Sequence, residues 1–239
     1  MSIDLEKLMK LDMSYPGISF GYHSWALGAY LDSLENFIGI AKEQYRTRAK
    51  HELEKKKNEY EPEDYYQQKL HEVDEAADEH IPRYARMSAI IHLWGIFELT
   101  VTDITTYIAQ KEKAKLKLNE IKAENLIEKI NKYYSGVLKI DLPWSKSDVI
   151  EINLFYKIRN AVAHRNGQFQ DDTKERKKEI KSAVSKINDV EIHGFQLEIT
   201  SRYIELSTEL VFSMIESLNK LACNRYESLE VLSNEKPNK

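Results

Sequence analysis

The chain has 239 residues, of which 42% are hydrophobic and 31% charged, with a formal net charge of -4, eight glycines, five prolines and a single cysteine. That is ample apolar material for one large domain with extensions, and too few turn-forming residues for a protein of many short strands, so the composition predicts a mostly helical chain. One cysteine excludes an internal disulfide and a zinc knuckle, the slight acidity excludes wholesale wrapping of nucleic acid, and no apolar run nears the roughly 18 residues of a membrane span.

The opening MSIDLEKLMK has neither the basic flank nor the apolar centre of a signal peptide, which leads us to expect a soluble cytoplasmic protein. Apolar residues recur at helical spacing from Phe20 through Trp25, Leu27, Leu31, Leu34, Phe37, Ile38, Ala41 and Tyr45, and the segment RTRAKHELEKKKNEY that follows is almost wholly polar. This predicts one long helix, buried in its first half and reaching into solvent or toward a partner in its second. His23, beside Tyr22 and Trp25, reads as a core histidine. Pro62 suits the first turn of a new helix, and Pro82 is expected to kink or restart it. From Arg83 to about Lys113 the residues Ile90, Ile91, Trp94, Phe97, Leu99, Val101, Ile104, Tyr107 and Ile108 make a helix apolar on most sides, the expected centre of the core. His92, between Ile91 and Leu93, reads as packed or facing a second copy.

A shorter helix is predicted over Ala123 to Tyr134, ending at Gly136. Ser145 and Asp148 then fit a capping box, with Trp144 and Val149 placed to staple it, so a helix is predicted from about Lys146 to His164 with Gly167 as its stop. Another is expected over Asp172 to Asn188. The alternation in VEIHGFQLEIT about a His-Gly pair predicts a β-hairpin over Val190 to Ile199, with His193 a turn residue. A last helix from Ser201 to about Leu232 closes the core. The expected architecture is all-α with one short hairpin: long N-terminal helices over 1–82, a helical core over 83–232, and a disordered tail over 233–239.

Arginine followed by histidine four to six residues on occurs three times: Arg46 with His51, Arg86 with His92, and Arg159 with His164. Chance alone gives about one such pair in a chain of this make-up, so context must choose. Arg46 and His51 lie in a polar Lys/Glu stretch, and Arg86 and His92 open the central helix. Arg159 stands at the end of an apolar helix, is followed at once by Asn160, and its histidine sits beside Arg165 and a glycine. Residues 160 and 164 share a helix face and 159 is about 100° round from 160, so the three side chains can converge. A guanidinium fork and an imidazole together suit a phosphodiester. Between Lys157 and Lys186 nine Lys and Arg face four acids, so this helix end heads the most basic part of the chain. Taken alone, the run KERKKEIK reads as a solvated helix face. The acidic run HEVDEAADEH lacks the second histidine of a zinc motif and reads as a solvated helix, and no metal or cofactor is expected.

RNAVAH, as R-N-x-x-x-H at the end of an apolar helix, resembles the signature of the HEPN superfamily, and MSAIIHLWGIFELTVTDI is similar to the core helix preceding it in many members. The resemblance covers residues 83 to 232 in layout and is sharp only from Arg159 to His164. It implies a helical bundle that dimerises with its motif helices facing each other, a metal-independent RNA endonuclease site shared by both chains, and a role as toxin or antiviral defence effector. Arg159 and His164 then match the catalytic pair and Asn160 the polar position after the arginine; Lys157, Arg165 and Asn166 are candidate substrate contacts. Glu98 or Asp103 matches the acid that supports the arginine. Asn166 stands where some bacterial members carry a tyrosine modified by a nucleotidyltransferase. Such a protein takes RNA as substrate, works as a homodimer, and has an antitoxin or defence complex as a further partner. The alternatives are a non-catalytic nucleotide-binding module of the same fold, and an interaction protein whose polar helices over 42–80 dock a partner.

Overall fold

The computed structural model describes residues 12–59 and 63–226. Pro62, the expected tail over 233–239, the N-terminal segment and the last expected turns of the final helix lie outside these residues. The architecture is all-α with one two-stranded antiparallel hairpin. Its elements are α1 (Pro16–Lys55), α2 (Glu63–Glu75), α3 (Ile81–Lys111), α4 (Leu126–Tyr133), α5 (Lys146–Arg165), α6 (Lys174–Val184), β1 (Val190–His193), β2 (Gln196–Ile199) and α7 (Ser201–Arg225). The described residues fall into two compact units, the first from 12–26, 93–156 and 207–226, the second from 27–92 and 157–206.

The first unit is centred on Trp94, Phe97 and Phe155, all at most 1% exposed. Trp94 lies 5.4 Å from Phe97 and 6.0 Å from Phe155, centroid to centroid, in tilted arrangements that suit aromatic quadrupoles. Buried polar tips are satisfied: Tyr133 donates to the Leu116 carbonyl at 2.6 Å, and Trp144 to the Met214 carbonyl at 2.9 Å. Desolvation pushes the Tyr134 phenol well above its ordinary pKa.

In the second unit, Leu27, Leu34 and Ile38 are the buried stripe of α1. Trp25, in the first unit, is 82% exposed, and Phe37 and Tyr45 face out as well, as does His23. The expectation of a wholly buried first half was therefore wrong: one helix can bury only one arc, and the stripe at heptad spacing takes it. The polar half of α1 lies along α2 instead of standing free. Arg46 pairs with Asp74 (2.9 Å) and Asp78 (2.8 Å), Lys42 with Asp78 (2.9 Å), Lys50 with Asp74 (2.9 Å), and Tyr66 donates to Glu54 (2.6 Å). Lys50 and Arg46 hold the Asp74 carboxyl below the usual carboxylate range, and Lys42 and Arg46 do so for Asp78. The acidic run is thus half of an ion-pair ladder.

The regular α-helix restarts beside Pro82, at Ile81, without a break in the helical course. One π-helical turn, Ala76–His80, joins α2 to α3 directly. A proline ring collides with the carbonyl four residues back and leaves its hydrogen bond unmade, and a widened turn immediately before it accommodates both defects. Part of Glu63–Lys111 is long and apolar enough for a membrane span by length and composition alone, with mean hydropathy 1.3, and half of that window is buried inside the protein. The central helix is less uniformly buried than its sequence suggests: Ile91 and Leu99 are exposed, and His92 faces solvent instead of being packed in the chain.

The helix expected over 123–134 starts later, at Leu126, because Asn125 caps it by accepting from the Glu128 N–H at 2.9 Å. It does not stop at Gly136. A π turn over Tyr134–Leu138 carries it past the glycine, and Lys139, left-handed at φ 57°, ends it. Likewise α6 is shorter than the expected 172–188, since Thr173 caps its start and Ser185 its end.

Candidate active site

The helix that carries the Arg-Asn-His cluster begins where the capping box places it. The Asp148 N–H donates to Ser145 Oγ at 3.1 Å, and the Ser145 N–H to Asp148 Oδ2 at 2.8 Å. Along α5, Ile152 and Phe155 are buried in the first unit and Ile158, Ala161 and Val162 in the second. This stripe at spacings of three and four fixes the helix's rotation, and so decides where the polar residues lie.

Arg159 and Asn160 fall at the margin of the stripe and are half-buried, while Ala163, His164, Arg165 and Asn166 are exposed. Arg159 Nη1 donates to Asn160 Oδ1 at 2.9 Å. The amide holds one arm of the guanidinium, and His164, one turn beyond Asn160 on the same face, is open to solvent. His164 and Arg165 fill the last turn, where a cation also complements the helix dipole.

The helix then stops abruptly. Asn166 (φ 52°) and Gly167 (φ 72°) are both left-handed, and the Gly167 N–H closes on the Ala161 carbonyl at 3.2 Å. Glycine is required twice over at 167, by its φ and by space: a Cβ there would stand 2.5 Å from Met87 Cε and 3.4 Å from Leu197 Cβ. The released chain pairs with the outer edge of β2. The Leu197 N–H donates to the Gly167 carbonyl at 3.0 Å, and the Phe169 N–H to the Phe195 carbonyl at 2.9 Å. The hairpin is in the expected place, with Val190 opposite Ile199 and His193 opposite Gln196. Its turn pair is Gly194-Phe195, not His-Gly; Gly194 at φ 63° meets the need of such two-residue turns for a left-handed first position, and His193 ends β1.

The other sequence candidates are placed as follows. Lys157 is turned to α6, where it meets Glu179 Oε1 at 3.1 Å. Arg165 reaches Asp172 Oδ1 at 3.5 Å and Asp171 Oδ2 at 4.0 Å. Glu98 accepts from the Trp94 indole at 3.1 Å, and Asp103 is exposed. Of the two rival arginines, Arg46 is committed to Asp74 and Asp78, and Arg86 forks onto Glu35 at 2.8 Å through both Nε and Nη2. That fork holds the Glu35 carboxyl below the usual carboxylate range. Long-range acids, invisible to a spacing rule, thus occupy those two forks.

Two residues escape a reading by sequence. Arg83 is 4% exposed, stacks over Tyr84 at 4.9 Å, and keeps Nε and Nη1 without a hydrogen-bond partner among the described residues. Its signal is its place in the first turn after Pro82. Phe195, exposed at the hairpin turn, is legible as an aromatic where a polar residue would serve. Among the described residues, no three His, Cys, Asp or Glu side chains are grouped to hold a metal. No protein-family model matches the chain, and neither a curated protein nor a solved structure does.

Proposed function

We propose that the chain is a metal-independent RNA endonuclease of the HEPN type, acting as a homodimer and serving as a toxin or defence effector. The observation that carries this reading is the pairing at the end of α5: a half-buried guanidinium steadied by Asn160, with a solvent-facing imidazole one turn on. In the proposed reaction the ribose 2′-hydroxyl attacks the adjacent phosphate, His164 moves a proton as base or acid, and Arg159 stabilises the negative charge that grows on the phosphorane. The products are a 2′,3′-cyclic phosphate and a 5′-hydroxyl. One arginine and one histidine per chain make half of an acid-base pair, and a two-fold dimer supplies the other half. An antitoxin or a defence complex would dock on the outward faces of the polar helices over 42–80, whose facing sides pair with each other.

Sequencing of 5′-hydroxyl RNA ends after brief induction in bacterial cells tests this. New ends accumulate, growth stops, and both effects vanish with His164→Ala. Induced cells that show no new ends, or equal numbers with the variant, contradict it. Should the variant keep binding RNA while the parent never cuts it, the reading that stands is the non-catalytic nucleotide-binding module.

A further inference from the structure

Immediately past the end of α5 the second unit opens into a polar depression of about 700 Å³, whose wall includes Asn166, Gln168, Gln170, Gln196, His193 and Phe195. We propose that this depression is a nucleoside-binding subsite for single-stranded RNA, in which a base stacks on Phe195 and the surrounding amides read its edge. The inference rests on the RNA reading of α5 only for the strand to which that nucleoside belongs.

Phe195 is 43% exposed yet firmly held. Its ring meets the buried Phe169 edge-on, with centroids 5.9 Å apart, and its carbonyl accepts the Phe169 N–H. A rigid, presented aromatic is what base stacking requires, because nothing must be ordered when the base arrives. Lys177 and Lys181 of α6 place their ammonium groups 5.2 and 5.8 Å from the ring centroid, and neither lines the depression. Both lysines thus stand over the ring that the depression reaches, close by for the phosphates of a stacked nucleotide.

The amides favour a base over an inorganic anion. None of the side chains of Asn166, Gln168, Gln170 and Gln196 makes a hydrogen bond among the described residues. Each offers a donor and an acceptor, the complement of a nucleobase edge, whereas a backbone phosphodiester offers no donor to their oxygens. Asp171 also lines the wall, and Arg165 lies beside it at 4.0 Å. A carboxylate there repels a free anion and accepts from an exocyclic amine, and Arg165, which also lines the wall, supplies a cation beside it for the strand's phosphates. Arg165 and Asn166 directly follow His164, so a nucleotide seated here neighbours the one held at the helix end.

The test uses full-length protein carrying His164→Ala, so that RNA is not consumed, and a fluorescently labelled 12-nucleotide RNA. Adding Phe195→Ala weakens binding roughly five- to a hundredfold, the usual loss for one stacked base. With Phe195→Trp in its place affinity stays within about threefold by the same stacking logic, and RNA quenches the added indole fluorescence while an abasic strand of equal length does not. Equal affinities for Phe195→Ala and its parent, or equal quenching by the abasic strand, overturn the subsite. If Phe195→Ala fails to fold, as its circular dichroism would reveal, the tryptophan variant decides alone. The wild-type chain that binds in this way but never cuts RNA loses the nuclease reading and keeps the subsite.

Discussion

On the proposed mechanism, replacing His164 by alanine lowers the rate of RNA cleavage by roughly two to four orders of magnitude, the range over which a positioned acid or base acts. Arg159→Ala costs about as much, because a donor aimed at developing charge contributes on the order of 3–4 kcal/mol of barrier. The two changes differ in what else they disturb. His164 is exposed, so its loss leaves the fold almost untouched. Arg159 is half-buried and bonded to Asn160, and Arg159→Lys is the sharper probe: it keeps the charge and loses the planar fork that can hold Asn160 and a phosphate together. Lysine at 159 therefore restores little of the rate. If the pair acts as a unit, the double variant is no slower than the slower single. Initial rates on a labelled RNA, with thermal melts of each variant as a control for folding, decide the matter. Rates within threefold of wild type for both alanine variants contradict the assignment.

The second large effect is on stability. Gly167→Val lowers stability by about 2–5 kcal/mol, the combined cost of a β-branched residue at positive φ and of overpacking a filled space. The first cost arises from φ 72°, the second from a Cβ 2.5 Å from Met87 Cε. For a chain of this size each kcal/mol shifts the midpoint by roughly 2–4 °C, so the melt moves down by about 4–20 °C. Gly167→Ala is milder, and adding Met87→Ala relieves its steric part while leaving the backbone strain. The Gly167 carbonyl also anchors Leu197, so a shift at 167 disturbs both the end of α5 and the hairpin. An unchanged midpoint for Gly167→Val would show that the helix stop is not built as described.

Features decided within a few residues of chain are legible in the sequence. The Ser145/Asp148 capping box, the Gly167 stop and the hairpin over 190–199 all depend on close neighbours along the chain, and all are where the pattern puts them. Features decided by more distant partners are not. In α1 apolar residues occur on every side, and only the packing of its neighbours determines that Leu27, Leu34 and Ile38 are buried while Trp25 and Phe37 are not. Gly136 is the obvious stop for α4, but a π turn carries the chain past it to a lysine that accepts the left-handed conformation. Pro82 signals a restart of the helix, but the form it takes, a π turn in the preceding residues, lies in the backbone and no residue type announces it.

The candidate site divides in the same way. Spacing and the apolar helix before them single out Arg159, Asn160 and His164, and Arg159 with Asn160 is joined as that geometry allows. The acids that hold Arg46 and Arg86 are nonlocal, 28 to 51 residues away in sequence, so no spacing rule shows them. The depression beside Phe195 is hidden for a related cause. Its wall comes from two segments, 165–171 and 193–196, that only the pairing of Gly167 and Phe169 with the hairpin brings together.

The most direct measurement is the chemistry of the ends. Purified wild-type protein is stripped and assayed in excess EDTA on a labelled RNA, and the products are separated and identified by mass. On the proposed mechanism cleavage persists in EDTA, with a 2′,3′-cyclic phosphate on one fragment and a 5′-hydroxyl on the other, and none occurs when the nucleotide at the cut carries a 2′-deoxyribose. RNA left intact in EDTA and cut only when a divalent metal is added, to 5′-phosphate ends, would contradict it.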